Sequence, residues 1–149
     1  MSAPTGPALP TVWRPRRGRV VPYVLTVVAL TGFGIVAVAL TSEGRAGATP
    51  IDRGLLIGSG LAMAYVLHRL ASVRVEADSD GLTVVNLARR RRLEWAEVLG
   101  VRLAPGDPWL QLDLAEGATM PAMGIQGTDG EHGQAQARAL AAAVVARTP

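Results

Sequence analysis

The chain has 149 residues, a formal net charge of +3 and no cysteine, which excludes disulfides, thiolate nucleophiles and zinc–sulfur centres. All fifteen basic residues are arginine, beside an abundance of Ala, Gly and Val; this is a compositional bias rather than fifteen separate uses of guanidinium chemistry. From Arg69 onward nine arginines stand against ten carboxylates, a balance that argues against a general nucleic-acid binder.

Met1 to Thr11 is rich in Pro, Ala and Gly without a hydrophobic period, and Arg14, Arg16, Arg17 and Arg19 follow. The pattern predicts a disordered basic tail over residues 1–19, with Trp13 as a membrane-interface anchor beside the arginines. Val20 to Leu40 then runs for 21 residues without a charge. As a helix it spans roughly 30 Å, the thickness of a bilayer's hydrocarbon core, so a membrane crossing is expected. Thr41 to Arg53 reads as a polar, charge-balanced connector broken by Gly44, Gly47 and Pro50. The second apolar run, Gly54 to Leu67, has fourteen residues, which is short for a span and equally suits a core helix. Arg53, His68 and Arg69 bracket it and can snorkel, extending a second span over about 54–70. Gly54, Gly58 and Ala62 recur every four residues, a stripe suited to packing or self-association between helices; plain Gly/Ala richness gives the same pattern. The expectation is a helical hairpin over residues 20–70.

From residue 71 to 149 the pattern changes to that of a small β domain. Val73 and Val75 alternate with Arg74 and Glu76, and Asp78-Ser79-Asp80-Gly81 makes a turn. Leu82–Leu87, Arg90–Trp95, Val98–Leu103, Trp109–Leu114 and Thr119–Ala122 are further candidate strands. Thr128-x-x-Glu131 has the form of a capping box before an Ala-rich helix with Ala137, Leu140, Ala141 and Val144 on its apolar face. The fold class is therefore α+β. A two-helix transmembrane hairpin precedes a small antiparallel β-barrel or sandwich, capped by a C-terminal helix.

The stretch Asp80-Gly81-Leu82-Thr83-Val84-Val85-Asn86, followed by Arg91-Arg92-Leu93-Glu94-Trp95-Ala96-Glu97-Val98, resembles bacterial pleckstrin-homology-like (PH) domains. It is similar to membrane-tethered actinobacterial proteins of the low-molecular-weight protein antigen 6 type. The resemblance covers roughly residues 20–147. It implies a bent barrel of seven strands with a C-terminal helix, one strand more than the six read from the residues. It implies no catalytic residue and no ligand.

Arg89, Arg90, Arg91 and Arg92 are the boldest local feature of the β region. They suit contact with an anionic lipid surface or an acidic partner; the alternative is a solvated hairpin paired with Glu76, Glu94 or Glu97 across strands. Asp78-Ser79-Asp80-Gly81 lacks the later ligands of a calcium loop and is read as a turn. His68 and His132 are isolated, and Gly124 and Gly127 lead into no phosphate-binding motif, so neither a catalytic residue, a cofactor nor a metal is expected. Trp95 and Trp109 read as core or rim anchors.

The basic tail predicts a cytoplasmic N-terminus, and two spans return the β domain to the cytoplasm. Ala37-Val38-Ala39 also fits a signal-cleavage pattern, though the apolar stretch is longer than such regions usually are. The expected protein is a non-enzymatic multi-pass protein of the plasma membrane. Its β domain serves as a binding or scaffolding module for a protein partner or the membrane lipids. The different-class alternative is an accessory subunit of a transport or envelope-biogenesis complex.

Overall fold

A computed structural model describes residues 8–42 and 49–147. The chain divides into two units, Met1–Gly18 with Ser72–Pro149, and Arg19–Ala71.

The second unit is a pair of helices, α1 (Arg17–Ser42) and α2 (Pro50–Ala71). In α1, Pro22 lies in the second turn and the Thr26 hydroxyl donates to the Pro22 carbonyl at 2.8 Å. Ser59 does the same to Leu55 at 2.8 Å, so both hydroxyls are satisfied within their own helices. The second helix is longer than its apolar run. Thr49 is its N-cap: the Asp52 N–H donates to the Thr49 hydroxyl at 3.3 Å, while the Asp52 carboxylate accepts from the Thr49 N–H at 2.7 Å. Pro50 occupies the first helical position, where its missing N–H costs nothing. Residues 50–53, expected in the connector, are thus helical, and α2 reaches 22 residues. The helices touch through Gly60, which is buried and would place a Cβ 3.1 Å from that of Phe33.

Among the described residues the first unit contains seven strands. Sheet A has the order β1 (Thr11–Trp13), β2 (Arg74–Ala77), β3 (Gly81–Val85), β4 (Arg90–Glu94). Sheet B has the order β5 (Val98–Arg102), β6 (Trp109–Leu114), β7 (Thr119–Gln126). Every pairing is antiparallel. The strand missing from the sequence reading is β1, and it precedes both apolar helices. Its register is Thr11↔Ala77, Val12↔Glu76 and Trp13↔Val75, so the helical pair is inserted between two neighbouring strands of one sheet. The expected structureless tail is therefore corrected at Thr11–Trp13. Trp13 is corrected with it: the indole is 5% exposed among core residues of the β unit, not at an interface. Three residues are too short for a periodicity signal, and burial of the indole outweighs the Pro- and Gly-rich neighbourhood.

Alternation places Val75, Ala77, Leu82, Val84 and Leu93 of sheet A inward, against Leu110, Leu112, Leu114, Ala122 and Ile125 of sheet B. The sheets approach closely at Gly124, where a Cβ would lie 2.5 Å from the Arg74 backbone. Helix α3 (Glu131–Val145) closes the core with Gly133, Ala137, Leu140, Ala143 and Val144 buried. Its start differs from expectation. Thr128 lies in a short 3-10 turn, and Gly130, at φ 59°, redirects the chain and is the N-cap. Thr128 donates to the Gln126 side chain at 3.4 Å instead of capping α3.

Candidate functional site

Sheet A has one end at which the chain leaves after Trp13 and returns before Arg74, and the register puts the β3–β4 turn at that same end. Arg74 faces Val85, and Val85 faces Arg90; the turn Asn86–Arg89 closes the row. Asn86 anchors this turn to sheet B: its Nδ2 donates to the Pro121 carbonyl at 2.6 Å, and its Oδ1 accepts from the Met123 N–H at 3.0 Å. No sequence motif flagged Asn86 for this role. The usable signal was an Asn at a strand end, a residue type that readily satisfies stray backbone groups.

The four arginines do not act as a block. Successive residues of a strand point to opposite faces, so the run is divided as soon as it becomes β4. Arg90 and Arg92 lie on the outer face of sheet A with Glu76 and Thr83. Arg91 shares the row of Val75 and Val84, and its guanidinium reaches Glu116 at 3.0 Å. Arg90 stands 3.9 Å from Glu76, which also pairs with Arg74 at 2.5 Å. Arg92 holds Asp78 with two hydrogen bonds of 2.8 and 2.9 Å, and lies 3.7 Å from Asp80. Glu76 is a partner named in advance; Asp78, Asp80 and Glu116 are not, and Glu94 and Glu97 are not used. Arg89, in the turn, is exposed and has no carboxylate partner among the described residues.

The Asp78 carboxylate also accepts from the N–H groups of Asp80 and Gly81, both at 3.0 Å. The Arg92 guanidinium, followed by these backbone donors, holds Asp78 below the usual carboxylate range. This side chain is committed to its own turn, which Trp95 tethers by donating from Nε1 to the Asp78 and Ser79 carbonyls at 3.2 Å. Trp95 is 6% exposed, with the Arg147 guanidinium 5.2 Å from its ring; Trp109 is half-buried. Both tryptophans thus belong to core and rim. His132 lies in α3, and His68 lies in α2 with its ring 6.4 Å from that of Tyr23. Among the described residues no group of three or more His, Asp or Glu is placed to hold a metal ion.

In the helical unit, Gly54, Gly58 and Ala62 are all exposed, and a Cβ at Gly54 or Gly58 would meet nothing within 4 Å. The stripe is therefore not the contact between α1 and α2, which runs through Gly60 and Phe33.

Two antiparallel sheets closed by a C-terminal helix define the class, and comparison with known families agrees: the bacterial PH domain matches residues 72–143. The chain belongs to the bacterial PH-domain proteins. Among curated proteins it is similar to an uncharacterized protein of Mycobacterium bovis and to uncharacterized proteins of two Mycobacterium tuberculosis strains. Each is 30% identical over 117 residues, covering 78% of this chain and 74% of the relative. No solved structure matches the chain significantly. The match to residues 72–143 leaves out β1, so the family signature begins after the first strand of the sheet it describes.

Proposed function

We propose that this protein is a non-enzymatic, membrane-anchored PH-like binding module whose two apolar helices cross the plasma membrane and whose β unit lies on the cytoplasmic face. One observation carries the reading: an exposed apolar helix pair is inserted between adjacent strands of a PH-type sheet. Within Gly18–Leu40 none of the apolar window is buried, and within Pro50–Ala71 only 11% is. A core helix of a soluble protein would be mostly covered, so lipid is the solvent that suits these surfaces. The end of sheet A bearing Arg89 is the end to which the chain is tethered. Arg89 and Arg90 are thereby suited to an anionic lipid surface or an acidic protein segment lying on it; near such a surface each arginine contributes about 1 kcal/mol.

A second reading rests on the open stripe at Gly54, Gly58 and Ala62. There the hairpin packs into a larger membrane complex or against a second copy, and the β unit is a structural appendage. The test is recovery of co-purifying proteins from mild detergent with full-length Arg89→Glu and Gly58→Leu variants. Partners lost with Arg89→Glu and kept with Gly58→Leu support the binding module. The reverse result removes it in favour of the accessory subunit.

A further inference from the structure

We propose that the arm Leu9–Gly18 fixes the membrane topology: by docking on the β unit it holds both ends of the helical insertion on one face, and it requires the first helix to be retained rather than removed as a signal peptide. The proposal rests on the reading of α1 and α2 as membrane-crossing helices.

The arm is bound along its length by residues that follow the insertion. Leu9 packs on the core, and β1 pairs with β2 over three consecutive positions. Trp13 and Pro15 are buried. The Arg14 carbonyl accepts from Gln136 Nε2 at 3.3 Å, and the Arg16 N–H donates to the Asp129 carboxylate at 2.8 Å. At Gly18 a Cβ would lie 2.7 Å from the amide end of the Gln126 side chain, so the end of the arm lies directly against β7. Paired strands lie about 4.8 Å apart, whereas a hydrocarbon core is about 30 Å thick. Strands with this register cannot stand on opposite faces of a bilayer, so the chain between Gly18 and Ser72 must cross an even number of times. Cleavage near Ala37-Val38-Ala39 would detach β1 from β2 and open the β2 edge, together with the core position that Trp13 fills.

The absence of cysteine makes the test clean. Val12→Cys and Glu76→Cys introduce thiols at directly opposed, partly exposed positions, where antiparallel Cα spacing suits a disulfide. In isolated membranes carrying the full chain with a tag at each end, oxidation should crosslink this pair. The control pair Val12→Cys with Thr119→Cys, on β7, should stay uncrosslinked. The single variants Val12→Cys and Ala146→Cys should react with a membrane-impermeant maleimide from the same side, and both tags should remain on one polypeptide. Opposite sidedness, no more crosslinking than the control, or loss of the N-terminal tag from membrane-embedded protein would overturn the proposal. Release into the soluble fraction by alkaline carbonate would instead overturn the membrane reading, and this proposal with it.

Discussion

Asn86 shows how one side chain can join two sheets. It supplies a donor to the Pro121 carbonyl and an acceptor to the Met123 N–H, two backbone groups of β7, an edge strand of sheet B. Asn86→Ala leaves both without these partners in a half-buried setting, and each such group costs about 1–3 kcal/mol. The expected loss is about 2–4 kcal/mol, measured as the unfolding free energy of the detergent-solubilised chain. An unchanged value would mean that water replaces the amide at no cost. Asp78 gives a pH prediction of definite sign. Its carboxylate is held below its ordinary value by Arg92 and by the turn N–H groups. A depressed folded-state value contributes stability that is fully present above the unfolded value of about 3.9, and is lost as pH falls through the folded one. The unfolding temperature should therefore fall below about pH 4. Asp78→Asn, which keeps an oxygen acceptor for the turn and loses the charge, should flatten that dependence. The pair is exposed, so the effect at neutral pH should be small. The turn itself was legible from Asp-Ser-Asp-Gly, because Asp and Gly dictate such a turn locally. Of the arginine partners only Glu76 was, because the others depend on which face each residue takes and which loop approaches it.

At the scale of elements, α2 shows a local signal that outranked hydropathy. Fourteen apolar residues read as a marginal span, yet Thr49-Pro50-Ile51-Asp52 carries an N-cap, a first-turn proline and an acid at the third helical position. Those residues start the helix a full turn before the apolar run and give it spanning length. The opposite happened at Thr128-x-x-Glu131, where the same grammar predicted a cap and Gly130 took the position instead. A glycine at positive φ bends the chain in a way that a spacing rule does not see. The helix face itself was legible, with Ala137, Leu140 and Val144 buried as its period requires and Ala143 in place of Ala141. The two kinds of glycine in α2 should separate experimentally. Gly60→Leu drives a side chain into Phe33 and should weaken the contact between α1 and α2, seen as increased protease sensitivity of the helical unit. Gly58→Leu meets open space and should leave the monomer's sensitivity unchanged, whatever it does to partners. Equal sensitisation by both would contradict the assignment of Gly60 as the helix contact.

For the molecule as a whole, the β unit is discontinuous in sequence. Six of its strands, or close versions of them, follow from alternation and turn chemistry between residues 73 and 126. The seventh could not be read locally: three residues gain strand character only by pairing with a segment some sixty residues later. A β1–β2 connection is a permissive place for an insertion, because the two strand ends are adjacent and a short loop would otherwise join them. That geometry predicts how the domain can be excised. A polypeptide of residues 72–147 contains the family-matched region, but lacks β1 and leaves open the core site that Trp13 fills. Its β2 edge is then free to pair with another chain, and it should aggregate or unfold cooperatively only at low temperature. Joining residues 8–16 to 73–147 through a short Gly/Ser linker restores the pairing and should give a monomeric, cooperatively unfolding domain. Within that linked form, Trp13→Ala should cost about 3–5 kcal/mol, the range for truncating a buried tryptophan. Light scattering and thermal unfolding of the two polypeptides decide the matter. If residues 72–147 alone prove as stable and monomeric as the linked form, β1 is an ornament on a complete domain rather than its seventh strand.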